Sequence, residues 1–182
     1  MQHLTELQLI QAQVNPHFLY NTLDTIVWLI EGGMTDDAVE MISSLSIFFR
    51  TSLSKGNDII PLSEEKRHTL SYLEIQQFRY RDILEFELSI PKELDGIQVP
   101  KLSIQPLAEN AILHGLSGVQ DGRLTVTARE EGGVLEICVL DNGCGFPADM
   151  LGPYQAPEQQ TGHLGLFNVD TILRKHYGER FG

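Results

Sequence analysis

Along the first third of the chain, Leu4, Leu7, Ile10, Val14, Leu23, Ile26, Val27 and Ile30 return at mixed three- and four-residue steps, with a gap around Asn15-Pro16. That period predicts helix, and Gly32-Gly33 marks its end. Thr35 can cap a second helix, in which Asp36 and Asp37 suit the positive end of the dipole. Ala38, Met41, Ile42, Leu45, Phe48 and Phe49 form its apolar stripe. Two helices joined by a short glycine turn make an antiparallel hairpin. A hairpin alone buries little, so the stripe calls for a partner, and the same hairpin of a second chain would complete a four-helix bundle.

Lys55-Gly56-Asn57-Asp58 interrupts the pattern, and Pro61-Leu62-Ser63 opens a third helix that runs to about Tyr80. The period then changes. Leu84, Phe86, Leu88 and Ile90 alternate with Glu85, Glu87 and Ser89, which predicts a half-buried strand over 83–90 closed by Pro91. A short strand signal lies near Ile97–Val99, and Ser103 to Leu116 reads as a helix with Pro106 near its first turn. Leu124, Val126 and Ala128 alternate again, and the turn Glu131-Gly132-Gly133 leads into Val134–Leu140, a strand hairpin. A long loop from Asp141 to Gly162 precedes a last helix over Leu164 to Tyr177. The expected fold class is α+β: a helical hairpin at residues 1–57, then a part at residues 58–182 with a mixed, mostly antiparallel sheet.

Composition narrows the function. At 182 residues, 42% hydrophobic and 21% charged, the chain can bury a real core, and no apolar run reaches bilayer-spanning length. The opening residues are polar and helical in pattern, unlike a secretory leader, so a cytoplasmic segment is expected. A net charge of −12 argues against a nucleic-acid partner, and a bound nucleotide would need a divalent cation to offset repulsion. Cys138 and Cys144 lack metal-type spacing and read as reduced thiols.

Four constellations carry candidate chemistry. Asp141-Asn142-Gly143-Cys144-Gly145 follows a strand directly, so its carboxylate can accept from a ligand while the glycines admit backbone close by. A tight turn would use the same residues. Gly162-His163-Leu164-Gly165-Leu166 opens the last helix, where backbone N–H groups favour an anion. Glu109-Asn110, with His114 beyond, offers a general base and an amide oxygen suited to a hard cation, or merely a polar helix face. Asn15-Pro16-His17-Phe18-Leu19-Tyr20-Asn21 is the odd element of the hairpin, because proline inside a helix costs about 3 kcal/mol. Either Asn15 caps a new helix with Pro16 at its first position, or one helix runs through with a kink. In the first case His17 lies at a positive helix end, which suits a phosphoryl group. Asn21 shares its face.

These elements follow one another in a familiar order. Gln11–Thr25, QAQVNPHFLYNTLDT, closely resembles the phosphoacceptor motif of LytS/YesM-type sensor histidine kinases, and Tyr72–Tyr80, YLEIQQFRY, resembles their connecting helix. Gln105–Gly115, QPLAENAILHG, resembles the N box, Asp141–Gly145 the first glycine box and Gly162–Val169 the second. The resemblance spans nearly the whole chain. It implies a dimeric helical hairpin docked to an ATP-binding α/β sandwich of the GHKL type. Phosphorylation would fall on His17, and the phosphoryl group would then pass to an aspartate of a cognate response regulator.

By the same resemblance Glu109 activates or positions the reaction, Asn110 ligates Mg²⁺ on the ATP phosphates, and Asp141 accepts from the adenine amino group. His114, Gly143, Gly145, Gly162, Leu164, Gly165, Leu166 and Asn168 complete the nucleotide site, and Asn21 falls where related kinases orient a water for phosphatase chemistry. The resemblance also implies a homodimer and a full-length protein anchored in a bacterial inner or plasma membrane. Some positions depart from the family. Leu113 replaces a common Lys, His163 a frequent glycine and Ile172 a common Arg. Phe18 stands where other kinase groups place an acidic base, and the sequence ends at Gly182, so the sheet is expected to lack its final strands. Three other readings compete: an ATP-gated clamp, a serine kinase acting on a separate regulator, and a degenerate GHKL module that binds and dimerises without catalysis.

Overall fold

A computed structural model describes residues 15–52, 57–145 and 164–178. The expected helix over Leu4 to Val14, the Lys55-Gly56 break, Gly162, His163 and most of the long loop lie outside the described residues. Helix α1 is Pro16–Glu31 and α2 is Thr35–Ser52. Strand β1 (Ile59–Pro61) precedes α3 (Leu62–Arg79), which leads into β2 (Leu84–Ser89). A 3₁₀ turn at Lys92–Leu94 and β3 (Gln98–Pro100) come before α4 (Gln105–Asn110). The chain then runs through β4 (Gly122–Glu131) and β5 (Val134–Asp141) to α5 (Leu164–Tyr177).

The start of α1 resolves the alternative left by the proline. Asn15 is extended (φ −61°, ψ 114°), so the helix begins at Pro16 and does not run through it. The Asn15 side chain accepts the His17 N–H at 3.0 Å, one of the donors a helix start leaves without an intrahelical partner. Gly32 ends α1, and Gly33 takes the left-handed φ of +75° that turns the chain into α2.

The partner that the hairpin's stripes require comes first from the same chain. Phe18, Ile26 and Leu29 of α1 and Ala38, Met41 and Phe48 of α2 are buried, and α3 packs along both helices. Rings lock the contact: Phe18 lies 5.1 Å from Phe48 and 5.3 Å from Tyr72, and Phe48 stacks on His68 at 4.7 Å. Tyr20, Leu23, Val27, Trp28 and Ile30 on α1, with Val39 and Ile42 on α2, stay exposed. The stripe is thus shared between an inner face on α3 and an outer apolar face.

Helix α3 is buried on nearly every side because it touches the hairpin on one flank and β2, β3 and α4 on others. Its polar residues therefore need partners inside the protein. Glu65, fully buried, accepts the N–H groups of Leu102 (3.0 Å) and Ile104 (2.9 Å) just before α4. Leu102 has a φ of +60°, a strained conformation for a residue with a side chain, and the Glu65 contacts hold it there. Lys101 donates to the Ser52 carbonyl, tying the end of α2 to the same loop.

The main sheet has the order β2-β4-β5, with β2 parallel to β4 and β5 antiparallel to β4. β1 and β3 pair antiparallel as a separate ribbon, so two of the three pairings are antiparallel in a mixed arrangement. Gly122, Leu124, Val126 and Ala128 alternate inward along β4, as the period-two pattern predicts. Two expectations are corrected. Pro61 ends β1 and precedes α3 rather than belonging to the helix, because Ile59 and Ile60 find ladder partners in Pro100 and Val99. The helix expected over Ser103–Leu116 begins at Gln105 and widens after Asn110 into a π turn, Ala111–Gly115, closed by Leu116 N–H to the Ala111 carbonyl at 2.8 Å.

His68 makes stability depend on pH. Burial first, and then the nearby Lys101 charge, push its imidazole down to about 4, outweighing a hydrogen bond to Phe48 that favours protonation. Between pH 6.5 and 4 the unfolded chain holds a proton on this residue that the folded chain does not, so stability falls as pH falls through that window. The slope is at most about 1.4 kcal/mol per pH unit. In denaturant titrations at pH 7 and pH 5, His68→Gln is expected to lose less stability on acidification than the native chain, by about 1–2 kcal/mol.

Candidate functional site

The site grows from the junction of the π turn and the end of β5. Gly143 approaches the π turn so closely that a Cβ there would lie 1.9 Å from the Gly115 carbonyl oxygen, and the Cys144 N–H donates to that same oxygen at 2.9 Å. A Cβ on Gly115 would in turn stand 2.7 Å from an Asp141 carboxylate oxygen. The two glycines thus let Asp141 and the loop after it close on the helix carrying Asn110 and His114. Asp141 accepts the Gly143 N–H at 2.9 Å, which is turn chemistry as well as carboxylate placement. Asn142 pins the loop to the sheet, accepting from Arg123 N–H at 2.7 Å and donating to the Asp121 carbonyl at 2.8 Å. Gly145 takes the left-handed φ of +71°.

Glu109 stands one turn earlier and is partly buried. Burial raises its carboxyl above the usual carboxylate range, against hydrogen bonds from the Gln105 and Asn15 side chains and the charge of His114. The Gln105 amide donates to it at 2.8 Å. Asn15, the cap of α1, lies ninety-four residues away in sequence, so the start of the hairpin comes near α4. His17 is exposed, and the Asn21 amide nitrogen sits 3.1 Å and 3.2 Å from its two ring nitrogens. The shared face expected of these residues is therefore realised as a contact.

Helix α5 reaches α4 at Gly165, where a Cβ would meet the Pro106 carbonyl oxygen at 3.2 Å. Leu166 is half-buried on α5, and Asn168 is exposed. Leu113 is exposed on the π turn, and Ile172 is half-buried on α5. The structure brings Asp141, Gly143 and Gly115 together and sets Cys144 against the His114 carbonyl. Gly162 lies outside the described residues, as does the side chain of Leu164. Sequence reasoning missed Glu65, Lys101 and Gly115. A carboxylate on the buried face of a helix was the available signal for Glu65, whereas nothing local marks the other two. Two surface clefts, one at Arg81–Glu85 with Gln120–Arg123 and one at Asp37, Glu40, Glu74 and Phe78, lie elsewhere.

The comparisons with known proteins agree with this layout. The histidine kinase family matches residues 5–84, and the family of histidine kinase-, DNA gyrase B- and HSP90-like ATPases matches residues 99–181. The chain belongs to the histidine kinases. Sensor histidine kinase BtsS of Escherichia coli K12 is 37% identical over 179 residues, covering 98% of this chain and 30% of that protein. Sensor histidine kinase YesM of Bacillus subtilis 168 is 36% identical over 181 residues, and sensor protein LytS of the same organism 33% over 180. These span 98% and 96% of this chain and 30% of each relative, so the chain corresponds to under a third of the length of the relatives it matches. The fold is shared with the catalytic domain of histidine kinase ThkA, at a TM-score of 0.52 and 18% identity over 66% of this chain and 82% of that one. It is shared too with the histidine kinase domain of the blue-light activated kinase EL346 of Erythrobacter litoralis, at a TM-score of 0.50 and 20% identity over 93% of this chain and 83% of that one. An ATP-binding part and a histidine kinase part thus lie in one chain, and no helix among the described residues is long and apolar enough to cross a membrane.

The packing at Gly143 has a direct consequence. Gly143→Ala cannot keep the loop against Gly115, so ATP affinity measured by calorimetry should fall at least about tenfold, a loss of roughly 1.4 kcal/mol. The Phe18–Phe48–Tyr72 packing lies apart from the substitution, so near-ultraviolet dichroism should change little.

Proposed function

We infer that this chain is the kinase core of a sensor histidine kinase, which moves the γ-phosphoryl group of ATP to His17 and then to an aspartate of a response regulator. Residues 1–57 serve as the phosphoacceptor and dimerisation hairpin and residues 58–182 as the ATP-binding part. The observation that carries this reading is the docking of the Asp141–Cys144 loop on the π turn at Gly115, which makes one site of two motifs some thirty residues apart. In it Asp141 receives the adenine amino group, and Gly143, Gly145, Gly162, Leu164, Gly165, Leu166, Asn168 and His114 surround the nucleotide.

Asn110 is suited to Mg²⁺. Among the described residues there is no cluster of three or more His, Cys, Asp or Glu, and Mg²⁺ usually keeps waters and phosphate oxygens with only one or two protein ligands. When bound, it would neutralise charge on the phosphates. Phe18, which stands where other kinase groups place an acidic base, is buried against Phe48 and Tyr72. Glu109, held above the usual carboxylate range, therefore takes the proton that leaves the imidazole. Asn21, in contact with the ring, is placed to orient a water when phosphoryl groups are removed from the partner. The outer face of Tyr20, Leu23, Val27, Trp28, Val39 and Ile42 supports a homodimer, and the relatives' length supports a membrane-anchored protein of which this is a cytoplasmic segment.

Two outcomes test this. With radiolabelled ATP, label should appear in an acid-labile, base-stable linkage, and His17→Gln should abolish it while leaving ATP binding intact. Persistent labelling of that variant would disprove the acceptor assignment. Asp141→Ala should weaken ATP binding by about 1.5–3 kcal/mol, roughly 10- to 150-fold in dissociation constant, as expected for a lost hydrogen bond to a charged group. Native protein should bind GTP poorly, because guanine presents a carbonyl where adenine presents an amino donor.

A further inference from the structure

Among the described residues, Leu102 is the one residue other than glycine with a positive φ, +60°. A side chain there crowds its own backbone, and such strain persists only where the surroundings over-determine it. Here they act from two sides. The Glu65 carboxylate, buried on α3, accepts the N–H groups of Leu102 at 3.0 Å and Ile104 at 2.9 Å. Opposite, the Lys101 N–H donates to the Asp58 carbonyl at 2.9 Å, and its ammonium group to the Ser52 carbonyl. Ile104 hands the constraint on. Its N–H is spent on Glu65, and its carbonyl accepts the opening N–H groups of α4, from Leu107 at 3.0 Å and Ala108 at 3.1 Å. Its apolar side chain cannot cap the helix, so the fixed point comes from a residue 39 positions earlier. Gln105, next in the chain, donates to the Glu109 carboxylate at 2.8 Å. One buried carboxylate thus decides where the helix carrying Glu109 and Asn110 leaves the loop.

We propose that Glu65 is a positioning residue of the phosphoryl-transfer reaction: by holding Leu102 in its left-handed conformation it sets where α4 starts, and so where Glu109 and Asn110 stand. The proposal rests on the kinase reading of those two residues and adds a role for one that lies outside every motif of the sequence. The strain at Leu102 makes the arrangement conditional. Without the carboxylate the loop relaxes to a negative φ, and rotation about that one bond displaces the first turn of α4. A shift of about 1 Å in a reacting group can cost roughly a hundredfold in rate. The adenine side of the site is spared, because the loop after β5 holds the π turn at Gly115 through the Cys144 N–H.

Glycine takes a positive φ without strain, whereas a β-branched side chain tolerates it worst, and this separates positioning from stability alone. Glu65→Gln keeps the size of the side chain but turns one of its two acceptor oxygens into an amide donor. Well below its melting temperature, this variant should label His17 at least about tenfold more slowly at saturating ATP, with metal-free adenosine affinity within about twofold of native. Its amide hydrogens over residues 105–110 should exchange faster than those of the native chain without nucleotide. Adding Leu102→Gly to Glu65→Gln should return the rate to within about threefold of native and slow the exchange again, because glycine needs no carboxylate to hold its φ. A native rate in Glu65→Gln, or a loss that Leu102→Gly does not recover, would overturn the proposal. If Glu65→Gln does not fold, Leu102→Val decides with Glu65 in place. Labelling slowed at least about tenfold with adenosine binding kept supports the role, and a native rate overturns it. A native chain that takes no label at His17 would overturn the kinase reading, and this proposal with it.

Discussion

A carboxylate taken out of water must find hydrogen-bond donors, and in this protein Glu65 finds them in the backbone just ahead of α4. Leaving a buried polar group without its partner costs about 1–3 kcal/mol, so the loop at Leu102–Ile104 has little freedom. Leu102 accepts left-handed geometry as a result, and α4 leaves the loop in one direction. The position of Glu109, Asn110 and the π turn follows from that direction. So does the docking of Gly143 on Gly115.

The same helix that carries Glu65 also receives the hairpin. Phe48 stacks on His68 and Phe18 packs on Tyr72, so α3 is a shared wall between the hairpin and α4. Hydrogen bonds cross that wall, since His68 meets Thr51 at 2.8 Å and Ser44 donates to Glu74 at 2.6 Å, while within α3 Gln76 donates to the Tyr72 hydroxyl at 2.7 Å. A change in the hairpin therefore reaches α4 through packed side chains and hydrogen bonds rather than through a linker. Lys101, bound to the Ser52 carbonyl, adds a second connection at the end of α2.

Local chemistry made much of this legible in the amino-acid order. The period-two alternation of Leu124, Val126 and Ala128 and the Gly132-Gly133 turn define the β4–β5 hairpin, because one buried face and a φ-permissive turn leave few alternatives. Asn15-Pro16 left two outcomes open, and the Asn15 cap decided for a helix beginning at the proline. The motif residues from His17 to Asp141 could be named from sequence alone, since each belongs to a short stretch of defined spacing.

Contacts between distant segments were not legible. Ile59–Pro61 is too short to show a period, and it becomes a strand only because β3 offers a ladder. The π turn after Asn110 has no composition of its own; it arises where the helix must present Gly115 to the loop after β5. The hairpin's apolar stripes announced that something must cover them, but hydrophobic burial is non-directional. Only the tertiary structure decided that α3 covers the inner face while Trp28 and Val27 keep an outer one. The approach of Asn15 to Glu109 is of the same kind. Sequence determined that each residue can cap or carry charge, and the fold alone brought two segments ninety-four positions apart near one another, because their meeting depends on how α3 packs against both.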